Sequence, residues 1–134
     1  MSITLPFSAS GRYWIQGWSF PQSPLLITGP HPGNPEKRID LLFHRTDQLH
    51  LPTEFEGIFV SQATFREIRR LFPDASPPDG PSVSFFRIAS SGSIGYVAAH
   101  WCRISEVDRS TPVRDYHDRL ILIDEFEVSR KHEA

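Results

Sequence analysis

The run Arg38-Ile39-Asp40-Leu41-Leu42-Phe43-His44 is apolar and of strand length, and three further ordered segments follow it closely, at residues 48–52, 55–60 and 64–72. The first two of these are also short and apolar, and polar turn residues separate them, a pattern that predicts strands. In the last segment the apolar side chains recur at helical spacing, which predicts the one convincing helix of the chain. We therefore expect a sheet with this helix packed on it.

The helix has two candidate starts. Ser61 carries a hydroxyl that can cap the free amides of a first turn, whereas Thr64 followed by Glu67 has the spacing of a capping box. Pro73 predicts its end, because the residue before a proline disfavours helical backbone. Three arginines fall mostly on the face opposite the apolar one: Arg66, Arg69 and Arg70. We interpret this face as solvated, with contact to phosphate or to an acidic partner as the alternative.

Strands are predicted on both sides of this stretch, at residues 2–7, 12–20, 25–28, 83–89, 96–104 and 120–126. Turn or loop composition marks residues 8–11, 29–35, 74–82 and 105–112. A hairpin is expected to join 83–89 to 96–104 around residues 90–93. We interpret the proline-rich segment 29–35 as a surface connection, with an interaction loop as the alternative.

These elements predict one domain over residues 1–134, with residues 129–134 as a frayed tail. Its fold class is α+β, with a mostly antiparallel β-sheet, or a half-open barrel, of about eight or nine short strands and one amphipathic helix. The 14 basic and 16 acidic residues nearly balance, which argues against general nucleic-acid binding. A single cysteine excludes an internal disulfide. With no signal-like start and no apolar run of membrane-spanning length, we expect a soluble cytoplasmic protein without membrane contact.

The first candidate for chemistry is Cys102 with His100, which alternation places on one strand face. Such a pair can generate an activated thiolate. The simpler interpretation, which we favour, is a buried small apolar residue beside an incidental histidine.

A metal site is the second candidate. Imidazole and carboxylate ligands are offered by His44, His50 and Glu54, with His100 or His117 as a further ligand. Because none of the spacings matches a known ligand pattern, we expect no metal. The chain also lacks a Gly-rich phosphate loop, a dinucleotide fingerprint and a Gly-x-Ser-x-Gly elbow, so no cofactor is expected.

A charged cluster near the C-terminus is the third candidate, Arg114-Asp115-Tyr116-His117-Asp118-Arg119. An enzyme can use a histidine beside a carboxylate as a general base. A protein interface can use the arginines and the tyrosine, which are favoured at binding hot spots. The third interpretation is a solvated loop that leads into a strand.

The aromatic strand is the last candidate, with Tyr13, Trp14, Trp18 and Phe20. Buried indoles need partners for their N–H groups. We expect core packing for most of these rings and a surface role for one of the two tryptophans.

Residues 38–43, 49–52 and 55–58 together resemble small bacterial immunity proteins of polymorphic-toxin systems. Those proteins are compact cytoplasmic chains of this size, rich in strands and aromatic residues. The resemblance implies a non-enzyme that blocks a cognate toxin through its surface.

We therefore predict a soluble, non-catalytic protein-binding protein, and the resemblance implies a toxin as its partner. Its predicted contact residues are Trp18, Arg114, Asp115, Tyr116, Asp118 and Arg119, the two carboxylates being suited to a basic partner such as a nuclease. The alternative is a small β-barrel enzyme or small-ligand-binding protein. Its pocket would be lined by Trp14, Phe85, Tyr96 and His100, with acid–base work by His44, His100 or His117.

Overall fold

The computed structural model describes residues 4–17, 24–78 and 80–111. In this part of the chain there are eight strands and one short helix. In chain order they are β1 (Phe7–Gly17), β2 (Leu25–Pro30), β3 (Lys37–His44), β4 (Gln48–His50), β5 (Glu54–Ala63), α1 (Phe65–Leu71), β6 (Ser84–Ser90), β7 (Ser93–Ala99) and β8 (Trp101–Asp108).

All strand pairs are antiparallel, in the spatial order β4-β7-β6-β5-β1-β2-β3-β8. The order has two ends, because β4 pairs only with β7 and β8 only with β3 among the described strands. The predicted sheet-rich α+β fold with one helix is thereby confirmed. The half-open barrel stays a prediction.

One face of the sheet holds the main core, to which seven of the eight strands contribute. In β1 the alternation places Tyr13 in this core and leaves Trp14 on the outer face, as the sequence predicts. The buried members are Phe7, Tyr13, Leu25, Ile27, Ile39, Leu41, Phe43, Phe55, Ile58, Val60, Phe86, Ile88, Val97, Ala99 and Ile104.

The helix packs on the outer face of the sheet. Its Ile68 is fully buried in a second cluster that includes Phe85, Tyr96 and Ala98. The predicted capping box is confirmed: Thr64 N donates to Glu67 Oε1 at 2.7 Å, and Glu67 N donates to Thr64 Oγ1 at 3.1 Å. These bonds satisfy backbone amides that the helix leaves free.

The helix start expected at Ser61, the first of the two candidates, is wrong, because Ser61 belongs to β5 and pairs with Arg87 of β6. The turn predicted at residues 8–11 is also wrong, since these residues lie within β1. A bulge interrupts the register between Ala9 and Arg12, and Gly11 takes a φ of 101° there. The serine- and glycine-rich composition therefore marks a bulge rather than a turn.

The strand predicted at residues 96–104 is two strands, with His100 at the bend between β7 and β8. The paired strand β3 ends at the same position, because His44 is its last residue and pairs with Trp101. Backbone bonds span the bend, from Asp47 N to Ala98 O at 2.7 Å and from His100 N to His44 O at 2.9 Å. Residues 105–108, predicted as loop, continue β8 because they pair with β3. The predicted strand at residues 120–126 lies outside the described residues.

Candidate functional site

A cleft with a volume of about 790 Å³ opens on the outer face of β1, β2 and β3, and the connection between β2 and β3 forms one of its walls. We call it the Trp14 cleft. Its lining residues are Arg12, Trp14, Gln16, Thr28, Gly29, Pro30, His31, Pro32, Gly33, Asn34, Pro35, Lys37, Arg38 and Arg109.

Trp14 is the aromatic member of this lining. It pairs with Thr28 of β2 and Glu54 of β5, and it is 39% exposed. The indole N–H donates to Gln16 Oε1 at 2.8 Å. Because Gln16 satisfies the polar atom of the indole, the ring is held in one orientation on the sheet.

Four permanently cationic side chains line the same cleft, and among its described lining residues none carries a carboxylate. Lys37 Nζ donates to Asp108 Oδ1 at 3.0 Å, and this hydrogen bond and the charge of Asp108 raise the pKa of Lys37. Arg12 Nε lies 3.9 Å from Glu54 Oε1. Both side chains of that second pair are mostly exposed, so solvent screens it.

Beneath the cleft, Asp40 is buried and accepts three hydrogen bonds. Arg38 Nε donates to its two oxygens at 3.1 and 3.3 Å, and Thr28 Oγ1 donates to Oδ1 at 2.6 Å. A second arm of Arg38, Nη1, donates to the carbonyl oxygen of Thr111 at 2.7 Å. A buried carboxylate is stable only with such partners, so this network fixes the Arg38 guanidinium in the wall of the cleft.

The connection between β2 and β3 is tied down in spite of its prolines. His31 Nδ1 accepts from Gly33 N at 3.0 Å, while its Nε2 lies 3.3 Å from Glu106 Oε2. Because Nδ1 accepts, Nε2 carries the proton of the neutral ring and faces the carboxylate at this distance. Arg109 Nη1 donates to the Pro35 carbonyl at 3.1 Å. This segment lines the Trp14 cleft. The alternative interpretation as an interaction loop stays a prediction.

A second concave surface lies between the end of α1 and the hairpin of β6 and β7. Its volume is about 630 Å³, and we call it the apolar groove. Its lining residues are Leu71, Phe72, Ala89, Ser90, Gly92, Ser93 and Ile94.

Apolar side chains continue from the groove across the sheet. Phe59, Ala89 and Ile94 form one cross-strand row over β5, β6 and β7, with Ala89 and Ile94 in the lining of the groove and Phe59 next to it. Leu71 adds a fourth apolar side chain from the helix. Phe59 is 40%, Leu71 45% and Ile94 40% exposed. Within the described residues the remaining large apolar side chain with such exposure is Trp14 in the other cleft.

Three arginines lie near the groove, although none is among its described lining residues. Arg70 lies in the last turn of α1, and Arg87 precedes Ala89 by two residues, hence on the same face of β6. Arg69 places its guanidinium 5.9 Å from the centroid of the Phe65 ring, at the start of the helix. The pKa of Glu67 is lowered, first by its hydrogen bonds with Thr64 and further by the charges of Arg70 and Arg87. Arg70 and Arg87 therefore supply positive charge on this side of the sheet, beside the carboxylate of Glu67.

The structure does not support the predicted pairing of Cys102 with His100. Cys102 is in β8, pairs with Phe43 and packs against the core, whereas His100 lies at the bend before that strand. Burial raises the pKa of the Cys102 thiol, which disfavours the nucleophilic thiolate. The interpretation as a small apolar residue fits these facts.

The other histidine candidates do not converge either. His44 stacks on Trp101 with ring centroids 4.7 Å apart, whereas His50 packs between Phe72 and Tyr96. In the part of the chain that the structure describes, no group of three or more His, Cys, Asp or Glu side chains is arranged to hold a metal ion.

The pocket predicted for the alternative function is wrong in its composition. Phe85 and Tyr96 pack beneath α1, whereas Trp14 lines the cleft over β1 to β3. The predicted contact residues Trp18, Arg114, Asp115, Tyr116, Asp118 and Arg119, together with His117, lie outside the described residues. Sequence reasoning missed Arg12 and Gln16, although alternation in β1 puts both on the face of Trp14.

Within residues 4–17, 24–78 and 80–111, no helix is long and apolar enough to cross a membrane. Comparison of the chain with protein-family models, with curated proteins and with solved structures found no match.

Proposed function

We propose that this chain is a non-catalytic protein-binding protein and that the apolar groove is its contact surface. The observation that carries this proposal is the row of Phe59, Ala89 and Ile94, in which Phe59 and Ile94 are exposed, with the exposed Leu71 beside it. Apolar area left in water costs about 25 cal/mol per Å² relative to burial. A contiguous exposed apolar patch is therefore typical of a surface that a partner covers.

The shape of the row indicates how a partner would sit. Ala89 is small and lies between two large exposed side chains, Phe59 and Ile94, so a partner side chain can enter the space above it. Helices and extended segments both present anchors that fit such a groove.

The charges around the groove define the chemistry of the partner. Arg70 and Arg87 are cations near the groove. A segment with apolar anchors flanked by carboxylates would bury its apolar side chains and pair its charges. Complementary rim charges raise the association rate and select among partners.

We extend the proposal to neutralisation of a partner toxin. Its support is the resemblance of residues 38–43, 49–52 and 55–58 to immunity proteins of polymorphic-toxin systems. The further proposed contributors to the same function are Trp18, Arg114, Asp115, Tyr116, Asp118 and Arg119. A toxin that presents an acidic, apolar segment would fit the groove.

The test is affinity capture followed by titration with three forms of the full-length chain: wild type, Ile94→Ser and Trp14→Ala. The two replaced side chains are almost equally exposed, at 40% and 39%, but lie in different sites. We expect the captured partner to bind Ile94→Ser about 30-fold more weakly, equivalent to about 2 kcal/mol, and to bind Trp14→Ala like the wild type.

A photo-crosslinking residue at position 59 should attach to that partner, whereas the same residue at position 14 should not. Equal affinity of all three forms would contradict the assignment of the groove. Crosslinking of position 59 to a second copy of the chain would replace the proposed foreign partner by self-association.

A further inference from the structure

The Trp14 cleft has no part in the protein-binding function proposed above, since its lining residues and those of the apolar groove are different. We propose that this cleft binds a small anionic ligand with a planar ring. The ring would stack on Trp14, and the anionic group would be held by Arg12, Lys37 and Arg109.

The size and composition of the cleft support this assignment. Its volume of about 790 Å³ falls in the range of about 300–1,000 Å³ that is usual for small-molecule sites. Sites of this kind combine an apolar or aromatic surface with a few polar groups that fix orientation. Here the aromatic surface is one indole, and the fixed polar groups are cations.

The cations keep capacity for a ligand. Lys37 uses one of the three donors of its ammonium group on Asp108. Within the part of the chain that the structure describes, the charged partner of Arg12 is Glu54, in a long, solvent-screened pair. Arg109 donates to the neutral carbonyl of Pro35, a bond that leaves its positive charge in the cleft. Planar guanidinium groups suit the oxygens of phosphate and carboxylate groups.

The cleft is also preorganised. Gln16 holds the indole of Trp14 through its N–H, and the buried Asp40 holds the guanidinium of Arg38. His31 is fixed from both ring nitrogens. Side chains that are already ordered lose little entropy when a ligand binds, so more of the contact energy appears as affinity.

Two kinds of small molecule share the required chemistry, a ring that carries a phosphate and a ring that carries a carboxylate. The experiment is isothermal titration of the full-length protein with AMP and with indole-3-acetate, which distinguishes the two. Adenosine and inorganic phosphate are the controls that supply the ring or the anion alone. We expect one of the anionic rings to bind at least about tenfold more tightly than either control.

Trp14→Ala should weaken that binding about tenfold or more, and Trp14→Phe, which keeps a ring, should restore part of it. Arg12→Gln should weaken binding and reduce its dependence on salt. Ile94→Ser, in the apolar groove, should bind the ligand like the wild type, so that failure of either site can be recognised separately. Circular dichroism of each variant checks its fold.

Two results would overturn the proposal. One is the absence of heat for both anionic rings at millimolar concentration. The other is an affinity that stays the same in Trp14→Ala and Trp14→Phe, which would place the ligand elsewhere on the protein.

Discussion

Replacement of Gly29 by alanine is expected to destabilise the fold through Tyr13. Gly29 of β2 pairs with Ile39 of β3. The ring of Tyr13, from β1, packs against the Cα of Gly29. A Cβ at this position would be 2.6 Å from Cε2 of that ring and closer still to two other ring atoms. Displacing the Tyr13 ring costs free energy, because the side chain is fully buried and its hydroxyl donates to the Pro30 carbonyl at 2.8 Å.

The magnitude follows from three contributions. Overpacking a filled interior site costs about 1–3 kcal/mol. If the ring moves, the hydroxyl loses its bond to Pro30, which costs about 1 kcal/mol. Against these, alanine restricts the unfolded chain and stabilises by about 0.4–1 kcal/mol. The net expectation for Gly29→Ala is a loss of about 2 kcal/mol in the free energy of unfolding.

Urea unfolding followed by circular dichroism measures this loss, provided that the m-value is unchanged. Gly17→Ala is the matched control, because a Cβ there meets nothing within 4 Å, and it should be neutral or slightly stabilising. In the Gly29→Ala background, Tyr13→Phe should cost less than in the wild type, since the hydroxyl bond is already weakened. If Gly29→Ala proves as stable as Gly17→Ala, the ring does not rest on Gly29.

Two further predictions concern titration and reactivity. Burial raises the pKa of Tyr13 from its ordinary value of 10.0 to about 12, so the folded state holds this proton more tightly than the unfolded state does. The associated stability is complete below pH 10 and is lost as pH rises from about 10 to 12. Tyr13→Phe should remove most of this alkaline loss in urea titrations at pH 9 and pH 12; an unchanged loss would show that another group, such as Tyr96, causes it. Cys102 should react with iodoacetamide at pH 8 more slowly in the folded protein than in urea, because burial raises its pKa. Equal rates in the two states, read by mass spectrometry, would contradict its placement against the core.

Local chemistry explains which elements were predictable from the sequence. The capping box of Thr64 and Glu67 and the alternation of Tyr13 and Trp14 depend on neighbours within a few residues, and both are present in the structure. The bend at His100 depends instead on the opposite segment, which bends after His44. No property of residues 96–104 alone indicates where a distant strand will turn away.

The two candidate sites could not be predicted from the sequence, because each is built from segments that are distant in the chain. The lining of the Trp14 cleft comes from segments around residues 12–16, 28–38 and 109, and the groove combines the end of α1 with residues 89–94. Only strand register brings these segments together, and register is set by pairing across the sheet. The exposed arginines of α1 were visible in the sequence, but their position beside an apolar row was not.

A single glycine in β5 connects the two sites. Phe55 and Ile58 both face the core, although they are three residues apart and strict alternation would place them on opposite faces. Gly57 resolves the conflict with a φ of 71°, opposite the bulge in β1. Beyond it on one side, Glu54 faces outward beside Trp14. On the other side Phe59 faces outward into the row with Ala89 and Ile94. The left-handed backbone at Gly57, which a side chain rarely tolerates, therefore sets which residues of β5 reach the surface next to each site.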